Sequence, residues 1–127
     1  MDHTADGPDR YELVLPGRAR SLGPLRVFVA AVAADVGCSV DEIDDLRLGV
    51  SEALSLLVDV AVPPPVVRLT LEVERRVLRL TLTSEPATDG RTPDELALAV
   101  LSSVVDRHRV DRTMVELEKT ARETFER

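Results

Sequence analysis

Glu52 is the side chain best placed to do chemistry, because it is a lone carboxylate set among apolar neighbours. Leu48 and Leu56 lie one helical turn away on either side of it. A carboxylate in that setting is either solvated at the mouth of a pocket or costly to bury. The other usual carriers of chemistry are poorly placed. His3 lies in a polar lead-in, and His108 sits between Arg107 and Arg109 at what reads as a helix end, where it complements the dipole. Cys38, next to Gly37 in an interhelical turn, has no activating neighbour and reads as inert. Ser51, Ser55, Ser84, Ser102 and Ser103 have no histidine suited to a nucleophile dyad. No GxGxxG loop, GKS/GKT loop or HExxH pair occurs.

The element that must position Glu52 is the stretch Asp41–Ala61. Ile43, Leu46, Val50, Ala53, Leu54, Leu57, Val58 and Ala61 follow the i, i+3, i+4, i+7 rhythm of a helix facing a core. Leu48, Leu56 and Val60 make much of the other side apolar too, which describes a buried central helix. Ser39 and Glu42 match a capping box, and Asp41, Glu42, Asp44 and Asp45 suit the positive end of the dipole. Pro63, Pro64 and Pro65 are a hard stop.

The rest of the chain supplies a frame for that helix. Met1–Arg10 reads as a disordered lead-in, and Tyr11–Leu15 as a short strand closed by Pro16 and Gly17. A helix is expected over Ser21–Val36, with Pro24 in its first turn and Gly37 as its C-terminal cap. Val67, Leu69, Leu71 and Val73 alternate with polar residues, the chain turns at Glu74–Arg76, and Leu78, Leu80 and Leu82 alternate on the way back. After the irregular Ser84–Arg91, a second capping box, Thr92–Glu95 with Pro93 at the first helical position, opens a helix to about Asp106. Thr113–Glu118 reads as the last strand, and Thr120–Arg127 as a charged tail. This order predicts an α+β two-layer sandwich, one domain over 11–119, with helices on one face of a mixed, mostly antiparallel sheet.

At 127 residues the chain is long enough for a real core, built from Leu, Val and Ala because Tyr11, Phe28 and Phe125 are the only aromatic residues. A net charge of −7 and so few stacking platforms argue against nucleic acid and suit a basic protein partner. One cysteine excludes an intrachain disulfide and fits a reducing cytosol. No apolar run approaches ~20 residues, so no membrane span is expected.

Asp44, Asp45, Leu46, Arg47, Leu48, Val50, Ser51, Glu52, Ala53 and Ala61 together closely resemble the central helix of the RsbW-like anti-sigma factors. These are serine kinases of the GHKL, histidine-kinase-type ATPase superfamily. The resemblance extends from Tyr11 to about Lys119. It implies a general base at Glu52, acting on the hydroxyl of a serine in an antagonist protein. It also implies an asparagine four residues later, holding the magnesium that bridges the ATP phosphates. That position is Leu56, which offers no oxygen to a cation that demands one. The family's DxGxG element, where the aspartate reads adenine, falls on Ser84, Pro86 and Thr88. A slipped alignment could use Glu85, or Asp89 with Gly90, instead. The glycine-rich lid before the last helix is replaced by residues 92–98, which contain no glycine.

These departures lead to the expectation of a cytoplasmic anti-sigma factor with a degenerate ATP site and no cofactor. It would be a homodimer that sequesters a sigma factor by contact and is released by an anti-anti-sigma protein. Family dimers pair through the N-terminal strand and the start of the next helix, and Arg18, Arg20 and Arg26 near that end are candidate partner contacts. Two alternatives stay open: an active serine-protein kinase using ATP and Mg, and an adaptor or dimerisation domain unrelated to sigma factors. On the first expectation Glu52 is a carboxylate at the rim of a collapsed pocket, and Leu56, Pro86 and Thr88 help to close it.

Overall fold

The computed structural model describes residues 7–122. In chain order the elements are β1 (Asp9–Pro16), α1 (Leu22–Val36), α2 (Val40–Val58), β2 (Val66–Glu74), β3 (Val77–Glu85), α3 (Glu95–Val104), β4 (Arg107–Val110) and β5 (Met114–Thr120). A single 3₁₀ turn, Ala19–Ser21, leads into α1. The strands form one sheet in the order β1-β2-β3-β5-β4, and the helices form the second layer of the sandwich.

The sheet was expected to be mixed, yet all four pairings among the described residues are antiparallel. The reason is the short strand β4, which Arg107, His108, Arg109 and Val110 do not advertise by any apolar alternation. β4 runs parallel to β3 but lies at the edge, and β5 returns between them, antiparallel to both. His108 is therefore a half-buried residue of an edge strand, not a helix-terminal one. β1 begins at Asp9, so Asp9 and Arg10 pair with Val73 and Glu72 instead of belonging to the lead-in. Residues 1–6 and 123–127 of the expected lead-in and tail lie outside the described residues.

Register explains the core. Leu13, Leu69, Leu82 and Val115 stand side by side across four strands, and Tyr11, Leu71, Leu80 and Leu117 form the next row. Against these rows α2 packs Leu46, Val50, Ala53 and Leu57, all essentially inaccessible. The polar ends of the inner face are Ser84 and Lys119, both buried. Lys119 Nζ donates to the Val104 carbonyl at 2.9 Å and to Asp45 Oδ2 at 3.1 Å, tying β5 to α3 and α2. The opposite face carries cross-strand ion pairs, such as Arg10–Glu72 at 2.9 Å and Arg79–Glu118 at 3.3 Å.

Local chemistry sets the ends. The expected capping box opens α2: Ser39 Oγ accepts from Glu42 N–H and Glu42 Oε1 accepts from Ser39 N–H. Gly37 caps α1 at φ 101°, a left-handed conformation suited to glycine. The cap of α3 is Asp94, whose side chain accepts from Ala97 N–H at 2.8 Å, and not Thr92. The helix thus starts two residues after Pro93.

The hairpin turn between β2 and β3 places two non-glycine residues, Arg75 and Arg76, at φ 54° and 71°. Two-residue hairpins demand such angles, which favour Asn or Gly. Arg76 is held there by bonds to the backbone of Ala121, whereas Arg75 is exposed. Arg75→Asn is expected to stabilise the fold by roughly 0.5–1 kcal/mol by relieving left-handed strain. A higher urea midpoint at unchanged slope would show it.

Candidate functional site on the central helix

The last turn of α2 is where the sequence pattern and the structure part company. The apolar rhythm runs to Ala61, but α2 stops at Val58 with Asp59 as its cap. The Leu56 carbonyl accepts a hydrogen bond from Arg91 N–H at 2.7 Å, out of the segment between β3 and α3. A backbone acceptor on that turn thus serves the crossing loop.

That loop is seated closely. A Cβ on Gly90 would lie 2.5 Å from the Leu56 carbonyl oxygen and 3.4 Å from Leu57 Cα, so only glycine fits. Gly90 N–H donates to the Arg112 carbonyl at 2.6 Å, and the Arg112 guanidinium donates to Asp89 at 2.8 Å. Arg91 reaches back to Ser55 Oγ at 3.1 Å, with its Nε 4.0 Å from an Asp59 oxygen, an ionic contact too long for a hydrogen bond. Residues 89–91 thus bridge the end of α2 to the turn before β5.

Each residue singled out in the sequence can now be placed. Glu52 is half-buried and has no hydrogen-bond or ion-pair partner among the described residues. Leu56, one turn on, is 1% exposed and belongs to the core. Ser84 is 5% exposed on the inner face of β3, and its Oγ has no partner. Pro86 is exposed after a cis Glu85–Pro86 bond, and Thr88 Oγ1 donates to the Pro86 carbonyl at 2.9 Å. Glu85 is committed to Arg68, which grips both carboxylate oxygens at 2.7 and 3.2 Å and holds its pKa below the usual range. Asp89 is committed to Arg112. Both slipped-alignment acids are therefore engaged in ion pairs, and of the positions from Ser84 to Asp89 it is Ser84 that is buried with an unpartnered side-chain oxygen.

Arg18 and Arg26 flank the start of α1: the Arg18 guanidinium meets the carbonyl of Gly17 at 3.1 Å, and Arg26 Nε is buried without a partner. Arg20 is exposed in the 3₁₀ turn. Burial, then Glu42, pushes the Cys38 thiol above its ordinary pKa, against reactivity. The seating of Gly90 and Arg91 on α2 escaped the sequence reading, and so did the buried Lys119. The one available signal was Gly90 itself, the only glycine between β3 and α3.

A five-stranded antiparallel sheet with three helices on one face, the longest of them central, is the scaffold of the histidine kinase-like ATPase domain. The profile of that domain matches residues 15–120, and the chain belongs to this family. Within it the chain is similar to RsbW proteins. It is 32% identical over 52 residues to the serine-protein kinase RsbW of Halalkalibacterium halodurans, a match spanning 41% of this chain and 32% of that protein. It is also similar in fold to the solved RsbU and RsbW domains of Rv1364c from Mycobacterium tuberculosis. There the TM-score is 0.70 at 17% identity, over 91% of this chain and 34% of that one. The chain thus spans about a third of the length of each.

Proposed function

We propose that this chain is an anti-sigma factor that sequesters its sigma factor by surface contact and does so without ATP. The carrying observation is the pairing of Leu56 with the loop at Gly90 and Arg91. The residues present do not fit a magnesium–nucleotide complex. The position four residues after Glu52, which should offer an oxygen, is a leucine at 1% exposure. The backbone beside it is covered by Gly90 at closest approach. The domain keeps its scaffold and its capacity for a contact surface, which is all that sequestration requires. In this reading the protein acts in the cytoplasm as a homodimer, and an anti-anti-sigma protein frees the sigma factor by competition. Among the described residues no helix is long and apolar enough to cross a membrane.

One observation favours a second reading, a serine-protein kinase using ATP and Mg like the named activity of the Halalkalibacterium relative. Glu52 remains half-exposed and unpaired, as a general base would have to be. Two measurements separate the readings. Titration with Mg·ATP is expected to give no heat beyond dilution, and the host's sigma factors, tested one by one, should include one that binds at micromolar Kd or tighter. Micromolar nucleotide binding lost in Glu52→Ala, or phosphate transfer to a serine of an antagonist, would favour the kinase.

A further inference from the structure

The sheet ends in two edge strands, β1 on one side and β4 on the other. The backbone of β4 is only half used. Asp111 N–H donates to the Met114 carbonyl at 2.8 Å, and backbone groups along an antiparallel ladder alternate in direction. Arg107, Arg109 and Asp111 therefore turn their N–H and carbonyl groups toward β5. His108 and Val110 turn theirs away from the sheet, where no further strand pairs with them.

The side chains beside that free edge carry a pattern of sign. On the face turned away from the helices, one row reads Arg10, Glu72, Arg79, Glu118 and Arg107, with charges alternating across the sheet. Arg10 bonds Glu72 at 2.9 Å and Arg79 bonds Glu118 at 3.3 Å, while Arg107 has no ion-pair partner among the described residues. In the next row Arg109 meets Glu116 at 3.6 Å and Asp111 at 3.7 Å, both too long for hydrogen bonds. Asp106, just before β4, is committed to Arg122 and to the backbone of Thr120. Between Arg79, Arg107 and Arg109 lies a hollow of about 270 Å³, with Glu116 and Glu118 in its lining. So the edge is basic, in a chain whose net charge is −7. On the helix side the rows are apolar: Leu80 and Leu117 lead to His108, and Leu82 and Val115 lead to the half-buried Val110.

The strand that continues both patterns has carboxylates at alternate positions, opposite Arg107 and Arg109, with apolar residues between and beside them. A guanidinium can grip such a carboxylate with two parallel hydrogen bonds, a geometry closed to lysine. A second copy of β4 does not fit. Antiparallel pairing of the strand with itself about its centre sets Arg109 opposite Arg109 or Arg107, like charges across a ladder. We propose that β4 is the docking edge for an extended acidic segment of a partner protein, which adds to the sheet as a further strand. Such docking needs neither a nucleotide nor a sigma factor and does not depend on the sequestration reading.

The test uses the full chain and a fluorescent peptide of about seven residues, with two glutamates on either side of a central valine. Fluorescence polarisation is expected to give a Kd below about 100 μM, and binding about tenfold weaker when lysines replace the glutamates. Arg107→Glu combined with Arg109→Glu should reverse that preference, so that the lysine peptide binds and the glutamate peptide does not. Two N-methylated glutamate peptides, blocked at alternate residues, separate strand addition from charge attraction and require no variant to fold. One should fail to bind while the other binds like the parent, because only one edge of the added strand faces β4. Equal binding of the glutamate and lysine peptides, or no binding of either, would overturn the proposal. So would equal behaviour of the two N-methylated peptides, or an unreversed preference in the folded double variant. A wild-type dimer that the folded double variant dissociates, seen by sedimentation, makes the occupant a second copy and overturns the partner assignment.

Discussion

Gly90→Ala is expected to lower the stability of the fold by about 2–3 kcal/mol, a large effect for one methyl group. The added Cβ would meet the carbonyl oxygen of Leu56 at 2.5 Å and Leu57 Cα at 3.4 Å, and both are backbone atoms of a helix. No flexible side chain can swing aside. One response is for the loop to lift off α2, which breaks Arg91 N–H to Leu56 and Gly90 N–H to Arg112, each worth about 1 kcal/mol. The other is for the last turn of α2 to shift, which disturbs Leu56 and Leu57, each 1% exposed. Gly23→Ala is the natural control, because a Cβ there meets nothing within 4 Å and alanine favours its helix by up to about 1 kcal/mol. Urea melts of the two variants should therefore move in opposite directions. An unchanged melt for Gly90→Ala would show that the loop is not seated on α2 in solution.

That contrast also marks the boundary of what the sequence discloses. The alternation in β2 and β3 and the 3.6-residue rhythm of α1 and α2 are local, one-sided patterns, and they were legible down to the capping box at Ser39 and Glu42. β4 was not, because an edge strand of Arg, His, Arg and Val needs no apolar face to be held by its neighbour. The end of α2 was not legible either, since apolar residues continue to Ala61 while the Leu56 carbonyl goes to a loop some 35 residues away in sequence. The same limit applies to the site. Leu56 could be recognised as the wrong residue for a metal, and Pro86 and Thr88 were expected to help close the pocket beside it, yet the residues seated on its backbone are Gly90 and Arg91. That seating depends on the absence of a Cβ at Gly90, a tertiary fit that leaves no periodic trace. Lys119 was hidden for a similar reason, because its partners come from α2 and from the end of α3.

Leu56→Asn supplies the oxygen that the family resemblance expects, and it is expected to cost about 3 kcal/mol without creating a nucleotide site. The side chain of Leu56 is 1% exposed, so the substitution removes buried methyl groups and places an amide among Leu, Val and Ala. An unpaired buried amide alone costs about 1–3 kcal/mol. Restoring the ligand atom leaves the other obstacles in place: Gly90 and Arg91 still rest on the backbone beside it, and Ser84 still stands where an aspartate should read the base. Calorimetry with Mg·ATP on the folded variant is therefore expected to remain flat. The informative comparison is Leu56→Asn with and without Gly90→Ala, at temperatures where both are folded. Heat only in the double variant would identify the loop as the element that excludes nucleotide. Heat in the single variant, at undiminished stability, would mean that one side chain separates this domain from an ATP-binding one, and the sequestration reading would lose its main support.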